Sequence, residues 1–334
     1  MVDNGKVFLP IKVEDGSFHS VNGWIDNNTI LFVTDLNSRS NLLSYNITNG
    51  NQSVLYEANA PITTVMISPK REQILIHSSP SSNEAIITII KLDGTEVSST
   101  SIPSSELYLK WNPFNENSIL ISAFTEDWDY TVWNLDIEKG IREEIHIPQP
   151  FGVWVEKDKL VYLDWEAENP SLTANLKLFD LQLEKNEDYL ANLYYVDTIG
   201  EYHMTIEPES GNEQNGHYTF YKNDQEELFS YSTPHLTRYS DWLVPYYDYI
   251  DSTSTFLTFE PLYSTEADVY FDGFQLISHD LKTGESMIIH EGMENEPISC
   301  SPNGRVCLIG YYFEKLLNIE SKEMIQVIEE EYIK

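Results

Sequence analysis

Acidic residues that stand beside aromatic residues are the side chains of this chain best suited to chemistry. The clearest cases are Asp127–Asp129, which reads DWD, and Asp164–Glu166, which reads DWE. Carboxylate oxygens from several loops can coordinate calcium, and aromatic faces attract ammonium groups or stack on sugars. The pattern therefore predicts a surface for a cation, a cationic peptide or a sugar.

Similar acidic residues end predicted strands elsewhere, at Asp35, Glu207 and Glu260. Further aromatic residues, Trp242 and Tyr246 among them, stand near the start of a later predicted repeat unit. The candidate partner-binding residues are Asp127, Trp128, Asp129, Asp164, Trp165, Glu166, Glu207, Trp242, Tyr246 and Glu260. The competing interpretation is simpler. A chain with 54 acidic residues places some of them everywhere, and its aromatic residues can serve packing alone.

Motifs that define enzymes are missing from the sequence. There is no G-x-S-x-G elbow, no H-E-x-x-H pair, no glycine-rich phosphate loop and no EF-hand pattern. Paired carboxylates can hydrolyse a glycosidic bond, but they need a defined separation and one raised pKa. We therefore expect a binding protein without catalytic residues or cofactor. The alternatives are a polysaccharide hydrolase or lyase that uses these carboxylates, and a scaffold stabilised by calcium.

The two cysteines, Cys300 and Cys307, flank the turn Ser301–Gly304. On adjacent antiparallel strands their Cβ atoms would come close enough for a disulfide bond. Two buried free thiols fit the sequence equally well. A structural zinc site is not expected from a single pair of cysteines, and the sequence does not define any other metal site.

The elements that must position these residues recur at a regular interval. One residue marks the third strand of each unit, in runs such as VWNLD and HDLKTG, and the seven markers are Tyr45, Ile90, Trp133, Phe179, Tyr221, His279 and Leu317. Their spacings of 45, 43, 46, 42, 58 and 38 residues average about 45, the period of a propeller blade. Long helical periodicity is absent.

Turn residues recur at matching positions. Prolines follow three inner strands, at Pro69, Pro113 and Pro302, where they end a strand without removing a ladder hydrogen bond. The sequence thus predicts one all-β domain over residues 1–334, a propeller of four-stranded antiparallel blades, with seven blades by repeat count and six as the alternative. The predicted blades are residues 20–60, 61–104, 105–149, 150–192, 193–234, 235–292 and 293–330. In the sixth we expect the inner strand over Trp242–Tyr247.

Composition narrows the range of partners. The 54 acidic and 20 basic residues give a net charge of −34, which repels phosphate backbones and anionic lipid, so we expect no nucleic-acid or membrane-surface binding. No apolar stretch is long enough to span a bilayer. Either the chain is cytoplasmic, or a signal peptide precedes the sequence given.

Inner strands that end in Ser-Pro-Asn-Gly and third strands such as VWNLD resemble the YqgU-like and TolB-like propellers of bacterial envelopes. The YqgU-like resemblance is the closer one and covers most of the chain. It implies an extracytoplasmic, cell-surface lipoprotein of a Gram-positive bacterium, tethered through a cysteine outside this sequence. That family is described as six-bladed, and it supplies no catalytic residues. We expect a monomer that binds a protein or glycan partner through its acidic, aromatic-rimmed face.

Overall fold

The chain forms seven four-stranded antiparallel sheets, as seen in a computed structural model that describes residues 2–3, 6–166, 171–222, 226–329 and 332. Within each sheet, strands adjacent in sequence are also adjacent in space. Helical structure in the described residues is limited to the 3-10 turn Ala267–Val269 and the 3-10 conformation of Tyr332. The predicted all-β propeller is confirmed.

The strands of each blade are given from the inner to the outer position. Blade 1 comprises Ser17–Trp24, Thr29–Leu36, Arg39–Asn46 and Gln52–Ala58. Blade 2 comprises Ile62–Ile67, Gln73–Ser81, Glu84–Lys91 and Glu96–Pro103. Blade 3 comprises Glu106–Trp111, Ser118–Phe124, Tyr130–Asp136 and Ile141–Glu144. Blade 4 comprises Val153–Glu156, Lys159–Asp164, Ala174–Asp180 and Lys185–Leu193.

Blade 5 comprises Tyr195–Ile199, Tyr202–Pro208, Asn215–Lys222 and Glu226–Pro234. Blade 6 comprises Tyr247–Ile250, Thr255–Pro261, Phe274–Asp280 and Ser286–Met293. Blade 7 comprises Ile298–Cys300, Val306–Ile309, Lys315–Asn318 and Met324–Gln326. Outside the blades, Val2–Asp3 pairs with Lys6–Val7, and a small sheet joins Leu236–Thr237, Trp242–Leu243 and Thr265–Glu266.

Strand position within a blade explains strand composition. The second strand of blade 3, Ser118–Phe124, lies between two strands and two neighbouring blades, and all of its residues are buried. The outer strand of the same blade, Ile141–Glu144, is exposed throughout and reads IREE. A strand covered on both faces reads as a continuous apolar run, whereas an outer strand meets water.

Seven clusters of buried apolar residues hold the ring together, one between each pair of neighbouring blades. One of them joins the last blade to the first through Val306 and Leu308 of blade 7 and Trp24 and Phe32 of blade 1. The Trp24 indole also donates across this boundary to the carbonyl of Ser299, at 2.9 Å. Seven interfaces that return to their starting point close a ring of seven blades.

Closure does not require the two ends of the chain to share a blade. Met324–Gln326 supplies the outer strand of blade 7, and the N-terminal segment lies beside it. The Ile11 amide donates to the Val327 carbonyl, and Ile11 pairs in parallel with Ile328. Phe8 and Ile11 are buried in the core between blades 7 and 1. The N-terminal segment therefore seals the ring by packing.

The two ends of the propeller carry different connections. We call the end with the second-to-third turns and the blade-to-blade connections the upper end, and the end with the other turns the lower end. Lower-end turns are short. Gly94, in the third-to-outer turn of blade 2, has a φ of 86°, and a Cβ there would lie 2.4 Å from the carbonyl oxygen of Leu55. Only glycine fits that turn.

One predicted strand is wrong. The inner strand of blade 6 is Tyr247–Ile250, not Trp242–Tyr247. Trp242 and Leu243 instead pair with Thr237 and Leu236 in the small upper-end sheet. Alternating apolar residues over 242–247 resemble a strand. Trp242 and Leu243, however, belong to the upper-end connection between blades 5 and 6, and Tyr247 begins the inner strand.

The cysteines occupy directly opposed positions on two strands of blade 7. Cys300 lies on the inner strand and Cys307 on the second strand, and the structure joins them by a disulfide bond. Both residues are buried in the core between blades 6 and 7.

Candidate functional site

All ten candidate residues lie at the upper end, because each belongs to a second-to-third turn, to the end of a second strand or to a blade-to-blade connection. Blades that share one orientation place all these connections on the same side of the ring. The residues do not form a single cluster, however. Three groups differ in their surroundings: the turn of blade 3, the turn of blade 4, and the residues around blades 5 and 6.

Asp127, Trp128 and Asp129 form the tip of the turn in blade 3. The turn is closed by the Thr125 amide, which donates to the Asp129 carbonyl at 2.8 Å. Trp128 has a φ of 64°, a left-handed conformation that costs a non-glycine residue on the order of 1 kcal/mol. Its side chain is 69% exposed and meets Phe124 edge-on, with ring centroids 6.0 Å apart. The turn presents an indole to solvent between two exposed carboxylates.

Asp164, Trp165 and Glu166 follow the second strand of blade 4. The Gln149 side-chain amide donates to the Trp165 carbonyl at 3.0 Å and ties this turn to the connection before the blade. The Trp165 side chain is 38% exposed. Its indole lines a cleft toward the centre of the ring, while Asp164 and Glu166 border a shallow depression on the outer side.

Glu207 and Trp242 share another shallow depression, about 450 Å³ in volume, beside blade 5. Trp242 is half-buried, and its ring packs on Tyr194 and His235 at centroid distances of 4.7 and 5.1 Å. Tyr246 lies farther round the ring, where its amide donates to the Asn295 side chain. Packing within the protein accounts for much of the Trp242 surface.

Glu260 is engaged inside the protein. Its two carboxylate oxygens contact the His279 ring nitrogen at 2.8 Å and the Thr233 hydroxyl at 2.7 Å. The side chains of Glu260 and His279 are 13% and 4% exposed. A carboxylate bonded in this way joins blades 5 and 6, and we leave Glu260 out of the proposed binding surface.

The cleft with aromatic walls, which we call the principal cleft, lies between blades 3, 4 and 5 and has a volume of about 290 Å³; depressions of larger volume lie elsewhere on the protein. It is lined by Tyr108, Lys110, Gln149, Phe151, Val153, Leu163, Trp165, Tyr195, Val196 and Asp197. Of the ten candidate residues, Trp165 alone is among these lining residues. The others lie on the surrounding surface.

Aromatic contacts extend from the cleft to the turn of blade 3. Tyr108 meets Phe151 edge-on at 5.3 Å, and Phe151 lies 5.8 Å from Phe124, which in turn contacts Trp128. Phe151 is 57% exposed. We call Trp128, Phe124, Phe151 and Tyr108 the aromatic run. It links the exposed indole of blade 3 to the wall of the cleft.

The polar part of the cleft comes from three inner strands. The Lys110 ammonium of blade 3 contacts one carboxylate oxygen of Asp197 of blade 5 at 2.5 Å. The Tyr247 hydroxyl of blade 6 donates to the other oxygen at 2.5 Å and lies 2.7 Å from the Tyr195 hydroxyl. Lys110 and Asp197 thus neutralise each other at the cleft.

Burial raises the pKa of the Tyr195 phenol, and the charge of Asp197 raises it further, against a smaller lowering by the bond with Tyr247. Burial and then Asp197 likewise raise the pKa of Tyr108. Both phenols therefore stay protonated at neutral pH. The Tyr108 hydroxyl donates to the Gly152 carbonyl, and the Tyr195 hydroxyl donates to Tyr247, whose own proton is directed at Asp197.

Lys110, Asp197 and Tyr195 are not among the residues predicted from the sequence. The available signal was a charged residue within an otherwise apolar inner strand, in LYLKW and in YVDTI. A buried charge needs a partner, so each of these strands called for an opposite charge nearby. Lys110 and Asp197 are 87 residues apart in the sequence, so the sequence alone does not indicate that they pair.

Among the described residues, no group of three or more histidine, cysteine, aspartate or glutamate side chains is placed to hold a metal ion. In the same part of the chain, no helix is long and apolar enough to cross a membrane.

Seven four-stranded blades around an axis, with a cleft between inner strands at the upper end, define a β-propeller with a candidate ligand site at that end. The model of the YqgU-like 6-bladed beta propeller domain matches residues 46–310, and the chain belongs to this family. The predicted resemblance is confirmed. The family description counts six blades, whereas this chain has seven four-stranded sheets; the matched range contains blades 2 to 6 whole and parts of blades 1 and 7.

The chain is also similar to three individual proteins. The uncharacterized lipoprotein YqgU of Bacillus subtilis (strain 168) is 24% identical over 326 residues, which are 98% of this chain and 88% of that protein. The crystal structure of the uncharacterized protein lmo1340 from Listeria monocytogenes EGD-e matches with a TM-score of 0.87 at 24% identity, covering 97% of this chain and 98% of that one. The propeller domain of the Pyrococcus furiosus trilobed protease, which has an open velcro topology, gives a TM-score of 0.60 at 15% identity over 94% and 98%. These structural likenesses show the fold alone.

Proposed function

We propose that this protein is a non-catalytic, extracytoplasmic binding protein that holds a protein or glycan partner at its upper end. The observation that carries the proposal is the cleft between blades 3, 4 and 5 together with the aromatic run that leads into it. Solvent-exposed aromatic side chains near a concave surface are typical of binding sites rather than of packing.

The exposed carboxylates of Asp127 and Asp129 flank Trp128 and give the rim of this surface a negative charge. With a net charge of −34, the whole chain adds to that field, which speeds encounters with basic partners and slows encounters with acidic ones. Rim charges of this kind affect the rate of association more than the strength of binding.

An extracytoplasmic location is supported by the Bacillus subtilis relative, which is named a lipoprotein. A lipid anchor would tether the propeller, as a monomer, at the membrane surface and leave its upper end open to partners. Protease treatment of intact cells that produce the full-length protein tests this location: surface digestion agrees with it, and protection behind the membrane contradicts it.

The alternative activity is a polysaccharide hydrolase or lyase acting in the same cleft. Such chemistry, as we outlined it from the sequence, needs two carboxylates across a sugar-sized groove. Among the described residues that line the cleft, Asp197 is the one carboxylate, and it is bonded to Lys110 and Tyr247. A binding function therefore fits the cleft better than hydrolysis.

The test is capture of a partner from envelope extract by the immobilised protein. Replacing Asp127, Trp128, Asp164 and Trp165 together by alanine should abolish capture while shifting the melting temperature little, because these side chains lie at the surface. A matched control replaces the exposed Glu138 and Leu183 by alanine at the lower end of blades 3 and 4, and it should capture as well as the wild type. Unchanged capture by the fourfold variant would refute the proposal.

A further inference from the structure

The principal cleft combines aromatic walls with one neutralised ion pair, and this combination selects a ligand class. We propose that the cleft binds one ring of an uncharged oligosaccharide and that the rest of the oligosaccharide follows the aromatic run toward Trp128. This inference rests on the proposed binding function and specifies its ligand.

Size is the first constraint. A volume of about 290 Å³ lies at the lower limit of small-molecule pockets, which span roughly 300–1,000 Å³. It holds about ten waters at roughly 30 Å³ each, which is enough for one hexose ring but not for a folded peptide segment. A longer ligand must therefore continue outside the cleft.

The walls supply stacking surfaces. Trp165, Phe151, Tyr108 and Tyr195 surround the cleft and present aromatic rings. An aromatic face carries partial negative charge, so it attracts the C–H groups on the apolar face of a sugar ring. Trp165 and Phe151 are 38% and 57% exposed, which leaves ring surface free for such contact.

Charge selects against charged ligands inside the cleft. An anionic ligand would meet Asp197 and the negative field of the chain. A cationic ligand is drawn toward the chain by that field, but in the cleft it meets the Lys110 ammonium, and the one carboxylate among the lining residues is already paired. Because these two groups are 2.5 Å apart and neutralise each other, neither is available to pair with a charged ligand. Lysine has three donors and a carboxylate about four acceptor positions, so both can still bond uncharged hydroxyl groups.

The two exposed members of the aromatic run, Phe151 and Trp128, supply the continuation. The buried ring of Phe124 lies between them and supports both, with ring centroids 5.8 Å from Phe151 and 6.0 Å from Trp128. Trp128 is held outward by a left-handed backbone, at the end of the run farthest from the cleft. An outward indole there provides a second platform on which another sugar ring can stack.

The experiment is a titration of the purified chain with tetrasaccharides, followed by tryptophan fluorescence and calorimetry. The uncharged probes are chitotetraose, cellotetraose and maltotetraose. The charged probes are the deacetylated, cationic counterpart of chitotetraose and anionic tetragalacturonate. We expect at least one uncharged probe to bind in the micromolar to millimolar range, and each charged probe to bind at least about tenfold more weakly.

Substitutions test whether the uncharged probe binds in the cleft. Trp165→Ala should weaken binding of the uncharged probe at least about tenfold, and Phe151→Ala provides a second, more exposed position should the first variant melt early. Tyr239→Ala, at a fully exposed upper-end residue that does not line the cleft, should keep the affinity within about twofold. No binding of any uncharged probe at 10 mM, equal binding of charged probes, or no effect of both cleft variants would each overturn the inference.

Failure of the inference can be distinguished from failure of the proposed function by treating the envelope extract in two ways. Periodate opens sugar rings that carry adjacent hydroxyl groups, and chitinase with muramidase cleaves 4-linked N-acetylhexosamine chains, which lack them. Capture lost after either treatment supports the oligosaccharide. Capture that survives both treatments yet still requires Trp165 overturns the oligosaccharide and leaves partner binding at the upper end intact. Absence of capture before treatment contradicts the proposed function itself.

Discussion

The lower and upper ends of this propeller use similar residue types for opposite purposes. At the lower end, four third-to-outer turns close in the same way: one side-chain oxygen accepts the backbone amides two and three residues later. These oxygens belong to Asn46, Asp180, Asp280 and Asn318. At the upper end, Asp127 and Asp129 are exposed beside an outward indole. The side-chain oxygens of these lower-end turns bond to the chain itself, whereas Asp127 and Asp129 face solvent.

Turn length does not explain the difference, because the upper turn of blade 3 covers residues 125–129 and is as long as these lower-end turns. The difference lies in what satisfies the turn amides. At the lower end a side-chain oxygen accepts them, which favours aspartate and asparagine at fixed positions. In blade 3 the Thr125 amide bonds to the Asp129 carbonyl, so the side chains at the tip of the turn are not needed to close it. Stability is therefore concentrated in the blades and their lower turns, and partner recognition at the upper end.

The largest contrast is expected between two tryptophans. Trp24 is 1% exposed and bridges blades 1 and 7, so Trp24→Ala should lower the free energy of unfolding by about 3–5 kcal/mol. Trp128→Ala should change it by about 0.5 kcal/mol or less, because the side chain is mostly exposed. Urea unfolding of the two variants measures both values. Similar losses of unfolding free energy in the two variants would contradict a difference between a structural tryptophan and an upper-end tryptophan that faces outward.

A buried carboxyl group near the axis should make stability depend on pH. Burial raises the pKa of Asp248 to about 6, against opposing effects of the Cys300 and Tyr249 amides and of Arg71. Because the folded state holds this proton more tightly than the unfolded state, the extra stability is present below about pH 4 and is lost as pH rises through about 6.

Asp248→Asn removes that titration. Between pH 4 and pH 6.5, the wild type should lose on the order of 2 kcal/mol relative to the variant, since one unit of pKa corresponds to about 1.4 kcal/mol and Asp248 is only half-buried as a residue. Unfolding curves at several pH values supply the comparison. Parallel pH profiles for the two proteins would show that Asp248 does not titrate in this range.

A smaller effect is expected at a lower-end turn. Asp280 accepts the amides of Lys282 and Thr283 at 2.8 and 3.0 Å, so Asp280→Ala should cost about 1 kcal/mol of unfolding free energy. Asp280→Asn keeps the acceptor and should cost less than half as much. Asp127→Ala at the upper end is the matched control and should change little. If Asp127→Ala costs as much as Asp280→Ala, the acids of the two ends do not differ as described.

The smallest effect concerns the backbone of Trp128. Glycine tolerates its left-handed conformation, whereas alanine does not, and the ring contact with Phe124 is lost in both variants. Trp128→Gly should therefore be more stable than Trp128→Ala by about 0.5–1 kcal/mol, the reverse of the usual order in regular structure. Thermal unfolding of the pair checks the sign. A more stable alanine variant would mean that the turn relaxes.

The fold was predictable because the residues that mark each repeat lie on third strands and in the lower-end turns. The markers Tyr45, Trp133 and His279 all lie on third strands, as the repeat predicted, and Pro69 and Gly94 lie in lower-end turns. Each signal depends on nearby residues only. A repeat of about 45 residues then fixes the order of the strands and the closed ring.

The cleft was predictable only in part, because its polar groups come from three different blades. Lys110, Asp197 and Tyr247 converge only after the inner strands adopt their register around the axis. Glu260 is a second case in which local sequence is not enough to predict the position of a side chain. It ends a second strand as Asp164 does, but it bonds to His279 of its own blade and to Thr233 of blade 5, and so lies in the interface between blades 5 and 6.

Photo-crosslinking in intact cells tests the central claim most directly. A photoreactive phenylalanine analogue is introduced in place of Phe151 at the upper end, or of Leu183 at the lower end, two apolar residues that are 57% and 62% exposed. We predict covalent adducts, detected as an increase in mass, for the variant at position 151 and not for the variant at position 183. Adducts formed only at position 183, or equally at both, would contradict an upper-end binding surface.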